Sequence, residues 1–201
     1  MKKRNKKHTM LLLTMLVLIA TCTVHINASA KTKFTKTQQK RAEYIASICE
    51  KNWYTYKVYP SVCLGQAVAE SGMGKQCRKN NYWGLGSGRY SYSSLKKGTL
   101  AYLKCVSNKK WYGSLKGLTY KQQVHQLASH GYCGGDKKAY ERWVLKCIKE
   151  YDLTSYDKKM KKNLAAAEKK KKKSKDTSKL ATKTDITITR TGKGEQYNGT
   201  K

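Results

Sequence analysis

Acid is scarce in this chain. Its 201 residues hold 12 Asp and Glu against 43 Lys and Arg, a formal charge of +31. From Lys51 to Gly135 there is one carboxylate, Glu70, among 13 basic side chains. Proline and phenylalanine occur once each, as Pro60 and Phe34, although the chain holds 15 Tyr and 4 Trp. No pair of cysteines has the C-x-x-C spacing of a zinc framework, so no metal is expected. There is no Gly-rich phosphate loop, no Ser-His-Asp order and no Cys-His signature, so nothing in the sequence requires a cofactor. His125 and His130 are five apart, a poor spacing for one helical face, and read as surface or packing residues. No apolar run is long enough to cross a bilayer comfortably, the longest being Met10 to Ala20.

That short run is instead the centre of a targeting segment. Basic residues Lys2, Lys3, Arg4, Lys6 and Lys7 precede it, and Ala28-Ser29-Ala30 offers a small-residue cleavage site. Residues 1–30 are therefore expected to be a signal peptide, and the mature protein to be secreted, cell-wall associated and without a membrane span. Removing five basic and no acidic residues lowers the charge from +31 to +26. So positive a surface calls for an anionic partner. No nucleic-acid-binding motif accompanies it, so the expected partners are the anionic polymers of a cell envelope rather than nucleic acid. Cys49, Cys63, Cys77, Cys105, Cys133 and Cys147 would remain, and an even number in an exported domain predicts disulfides.

Residues 31–157 suffice for one compact domain, expected to be a monomer. Residues 35–57 read as a helix opened by a Thr35–Gln38 capping box. Pro60 starts a second helix that Gly72 stops. After a stretch rich in Gly, Ser and aromatics at 80–93, read as a strand, turn and hairpin-like return, helices resume at 94–107, 119–130 and 136–153. Tyr140, Trp143, Val144, Cys147, Ile148 and Tyr151 form one apolar stripe on the last of these, read as core. Residues 158–201, with the lysine run 169–173, are expected to be a disordered tail.

Glu70 has the attributes of a proton donor. It falls in the last turn of the second helix, where the negative end of the backbone dipole raises a carboxyl pKa, and partial burial would raise it further. A Glu held protonated near neutral pH can act as a general acid. Val62 and Gln66 share its helical face, which makes Gln66 a candidate for substrate contact.

Tyr59-Pro60-Ser61-Val62, Gln66 to Lys75 with its Glu70-Ser71-Gly72-Met73-Gly74 block, Asn80-Asn81-Tyr82-Trp83-Gly84-Leu85, and Gly131-Tyr132 before a final helix follow one another in an order with a known counterpart. Over roughly residues 37–153 the chain resembles the bacterial endo-β-N-acetylglucosaminidase domains of glycoside hydrolase family 73, of the flagellar muramidase and autolysin type. The resemblance implies an α+β, predominantly α, lysozyme-like fold: a helical body, a reduced β lobe, and a cleft that cuts peptidoglycan glycan strands. It implies Glu70 as general acid and Tyr132 as a cleft tyrosine beside it. It places Asn80, Asn81, Tyr82 and Trp83 along the sugar subsites, with Tyr90 from the aromatic return as a further candidate. Tyr and Trp suit that task because their rings match the apolar faces of sugars while a polar edge stays available.

Two departures follow. Met73 stands where the family usually has Trp, an altered cleft lining. The β lobe, from Leu85 to Leu100, has no acid, whereas most glycosidases use two carboxylates. Asp136 is the candidate second acid, although its place before the last helix suits an N-cap. Without a second acid, either the substrate's 2-acetamido group assists or Glu70 acts alone, as in lytic transglycosylases. The alternatives to an endo-β-N-acetylglucosaminidase are thus a muramidase, a lytic transglycosylase, a non-catalytic wall-binding module, or a cationic protein acting by charge alone.

Overall fold

A computed structural model describes residues 33–191, with side chains through Ser174. The expected signal peptide and residues 192–201 lie outside the described residues. Among the described residues eight helices run in order: α1 Lys36–Lys51, α2 Trp53–Tyr56, α3 Pro60–Ser71, α4 Leu95–Val106, α5 Lys109–Tyr112, α6 Tyr120–Ser129, α7 Lys137–Glu150 and α8 Thr154–Thr191. Among the described residues there is no strand.

Local chemistry sets most boundaries. Thr35 and Gln38 cap α1 reciprocally, and Thr119 and Gln122 do the same for α6. Asp136 opens α7 by accepting from the backbone of Lys138 and Ala139 at 2.9 and 3.0 Å. Helix α3 starts at Pro60 and stops at Gly72, which takes the left-handed conformation.

Helix α3 is the centre of the molecule. Every residue from Pro60 to Ala67 is buried, and α1, α6, α7 and α8 all pack on it. Contact with α7 is closest at Gly65, where an added Cβ would fall 2.6 Å from Ile148 Cγ1. That approach brings Tyr140 of α7 to Glu70 of α3. The turn after α3 is held from α1: Gln38 Nε2 donates to the Gly72 carbonyl at 3.1 Å, and Arg41 Nη1 to that of Met73 at 3.2 Å. Met73 itself is fully buried, so it belongs to the core and not to a cleft lining.

Three expectations need correction. Residues 80–93 form consecutive turns rather than a β lobe. Asn80, Gly84, Gly86, Ser87 and Gly88 all have positive φ, which breaks any extended run. Asn81 ties the loop instead, donating to the carbonyls of Leu85 and Tyr90 and accepting from the Leu85 N–H. Secondly, residues 158–191 are not irregular: α8 is helical to Thr191. Its Lys, Ala and Glu are strong helix formers with no Gly or Pro among them. Leu153, just before α8, and Asp157 and Met160 in its first turns dock on the body, being 0%, 6% and 1% exposed. Thirdly, all six cysteines are free thiols. Cys49, Cys63 and Cys147 serve as small core residues, and the Cys63 thiol, beside Cys49, is pushed well up by burial.

Candidate active site

A groove of about 1250 Å³ opens beside the C-terminal end of α3. Glu70, Tyr132, Tyr140, Trp143, Trp111, Tyr112 and Tyr90 line it, together with the glycine-rich stretch from Gly84 to Gly88. Glu70 is the one carboxylate among the lining residues, against Arg78 and Lys104.

The acid is held from two sides. Tyr140 donates its phenol to Glu70 Oε1 at 2.7 Å. On the other side Gly84, at φ +65°, approaches so closely that a Cβ there would lie 3.1 Å from Oε2. Glycine is required there twice over, for its left-handed backbone and for the space. Glu70 as a residue is open to the groove, yet protein crowds its carboxyl. Burial raises its pKa from the ordinary value, and the Tyr140 hydrogen bond only partly offsets that rise. Among the described residues no group donates a hydrogen bond to Oε2, and Glu70 lines the groove.

Tyr140 is itself fixed from below. Gln66 Nε2 donates to the Tyr140 oxygen at 3.0 Å, and Tyr102 donates to Gln66 Oε1. Gln66 and Tyr102 are 1% and 0% exposed. A hydrogen-bonded chain thus runs Tyr102, Gln66, Tyr140, Glu70, from core to groove. Since each member fixes the next, the carboxyl orientation is set through Tyr140 by Gln66 and Tyr102, two groups sealed from solvent. Burial and the Glu70 carboxylate push the Tyr140 phenol far above its ordinary range, so it stays protonated and donating.

The sequence candidates are distributed unevenly around this centre. Tyr132 lines the groove, but its phenol donates to the Trp83 carbonyl at 2.8 Å and not to Glu70. Its ring stacks on Tyr140 at 6.1 Å. Gln66 is corrected from a substrate contact to an underlying support, since both ends of its amide are taken by protein. Asn80 Nδ2 donates to the Tyr92 carbonyl at 2.9 Å, and Asn81 is 3% exposed, so both organise the loop. Tyr82 is 4% exposed beneath the Arg41 guanidinium and does not line the groove. Trp83 is 1% exposed, donates to the Cys63 carbonyl at 2.8 Å and stacks on Tyr102 at 4.9 Å, so it offers the groove only its rim. Tyr90, 59% exposed, stands in the groove wall. Asp136 does not line the groove: it caps α7, and those backbone hydrogen bonds lower its pKa.

Tyr140, Trp111 and Trp143 were not among the candidates. Tyr140 and Trp143 were absorbed into the apolar stripe of α7, whose N-terminal turns emerge at the groove while its later turns enter the core. The available signal was Gln66, a polar side chain in an otherwise apolar helix, which demands buried partners such as phenols.

A family model, Glucosaminidase, described as mannosyl-glycoprotein endo-beta-N-acetylglucosaminidase, matches residues 46–153. No curated protein matches the chain. Among solved structures, the catalytic domain of the autolysin Auto from Listeria monocytogenes aligns with a TM-score of 0.49 at 20% identity, covering 72% of this chain and 97% of that one. The matched span covers more than half of the sequence and includes the whole chain of groups from Tyr102 to Glu70, and on that match the protein belongs to the endo-beta-N-acetylglucosaminidase family and is a glycoside hydrolase.

Proposed function

We propose that the protein is a secreted, wall-associated peptidoglycan hydrolase, an endo-β-N-acetylglucosaminidase that cuts β-1,4 bonds of the glycan strand with Glu70 as general acid. The observation that carries this reading is the single groove carboxyl among the described residues, its pKa raised by burial and its orientation set by a phenol that stays protonated. Glu70 Oε2 delivers its proton to the bridging oxygen as the bond from that oxygen to the anomeric carbon breaks. The departing sugar leaves as an alcohol, and positive charge develops at the anomeric carbon. Tyr140 holds the carboxylate that results. Water then adds to the anomeric carbon, giving its proton to that carboxylate and resetting the acid.

Among the described residues no second carboxylate lines the groove to stabilise the cation or activate the water. The 2-acetamido oxygen of the substrate is the group best placed by chemistry to do so, by closing on the anomeric carbon. The same vacancy favours one rival, a lytic transglycosylase in which Glu70 alone serves as acid and base and an anhydro sugar is released. Anionic wall polymers are proposed as additional partners of the lysine-rich surface.

Glu70→Gln in a cell-wall zymogram, with mass spectrometry of the fragments from wild type, tests this. The expected result is clearing by wild type, loss of at least ~1000-fold in the variant, and fragments ending in reducing N-acetylglucosamine. Persistent clearing by Glu70→Gln would refute the catalytic assignment. Reducing N-acetylmuramic acid or an anhydro end would transfer it to a muramidase or a transglycosylase.

A further inference from the structure

The four tryptophans divide into two kinds. Trp83 is sealed in the core, and Trp53 leans on Tyr59 with ring centroids 5.0 Å apart. Trp111 and Trp143 are 57% and 47% exposed, and both line the groove. Among the described residues neither indole N–H has a hydrogen-bond partner. Among the described residues Trp111 has no ring or cation neighbour, while Trp143 has the Lys146 ammonium, 5.6 Å from its ring centroid. Single exposed apolar side chains are ordinary. Here, however, three of the five large exposed ones, Tyr90, Trp111 and Trp143, stand along the same groove.

Their placement follows a row of rings. Tyr132 stacks on Tyr140 at 6.1 Å and meets Tyr112 at 5.9 Å. Trp111 immediately precedes Tyr112 on α5, and Trp143 lies one turn beyond Tyr140 on α7. Each indole thus comes from the helix that carries an outer member of the row, α5 for Tyr112 and α7 for Tyr140, and lines the same groove. A flat apolar face with a free N–H at its edge matches a pyranose ring, which presents C–H groups on one face and hydroxyls around its rim.

Resting on the glycosidase reading above, we infer that Trp111 and Trp143 are sugar platforms outside the cleavage point, which bind neighbouring residues of the strand and make the enzyme select long glycan chains over short ones. Neither touches the acid, so they act through binding and not through the proton transfer. Occupying both requires a substrate that extends well past the bond being cut.

The test uses Trp111→Ala, Trp143→Ala and the matching Phe variants on glycan strands stripped of peptide stems, in short and long size classes, and on intact peptidoglycan. On long strands each Ala variant should raise KM about tenfold with kcat little changed. On the short class both should equal wild type, and Phe should restore most of the loss. A Glu70→Gln background, titrated with long strands, should show indole fluorescence quenching that shrinks with each Trp removed. Ala variants indistinguishable from a wild type that cleaves long strands would overturn the platforms and leave the catalytic reading standing. A defect seen only with peptide stems attached would overturn them in favour of a peptide site. A wild type that neither binds nor cleaves any glycan would bring down both readings together.

Discussion

Asp157→Asn should abolish a pH-dependent component of stability that arises at the end of α3 opposite the acid. Asp157 lies on α8, buried, where Oδ1 accepts from the Ser61 N–H at 2.8 Å and Oδ2 from the Ser61 hydroxyl at 2.6 Å. Burial raises its pKa from 3.8 to about 6, although Ser61 and the Lys161 ammonium one turn away pull it down. The folded state therefore holds a proton that the unfolded chain releases. The resulting stability is complete below about pH 4 and disappears as pH rises through about 6. A separation of about 2 between the two states is worth ~3 kcal/mol. Asn keeps an acceptor for the Ser61 N–H, and its amide can donate to the Ser61 hydroxyl, but it does not titrate. Urea unfolding followed by tryptophan fluorescence from about pH 4 to 7.5 should show the wild type losing ~3 kcal/mol relative to the variant, or more than ~1 M in midpoint. Curves for the two proteins that stay parallel over that range would refute the assignment of this proton to Asp157.

Two perturbations at the groove follow from the same geometry. Tyr140→Phe removes the hydrogen bond that lowers the Glu70 pKa, so the alkaline limb of the pH–rate profile should move to higher pH. Loss of orientation should also cut kcat about tenfold to a hundredfold, and an unmoved limb would show that the phenol does not govern the acid. Gly84→Ala forces a left-handed alanine, a cost of ~1–2 kcal/mol, and a methyl 3.1 Å from Oε2. Activity should fall well beyond what a denaturation curve accounts for, and wild-type kcat in this variant would mean that the carboxyl has another position available.

What the sequence revealed depended on how far the cause lay from the effect. The Thr35–Gln38 capping box, the Pro60 and Gly72 limits of α3, and the N-cap of Asp136 are decided within four residues, and all were legible. The loop at 80–93 was misread because Gly, Ser and aromatics suit a hairpin as well as a chain of turns. The five positive φ values that decide the matter depend on contacts with Asn81 and Tyr92. Glu70 stood out by being alone among cations. Its partner did not, since nothing local ties Tyr140 to a residue 70 positions earlier. The docking of α8 was obscured by composition: Asp157 and Met160 sit in a lysine-rich segment that looks solvated throughout, and only one of its faces meets α1 and α3.

Helix α3 is enclosed on all sides along its first two turns, and Glu70, the proposed proton donor, rides on its final one. A rod so confined has no soft direction in which to absorb a misfit. Repacking at Val62, Leu64 or Ile148 would therefore be transmitted along the axis to the carboxyl, and catalysis should fail in such variants well before the protein melts. In this enzyme the interior is part of the aiming device.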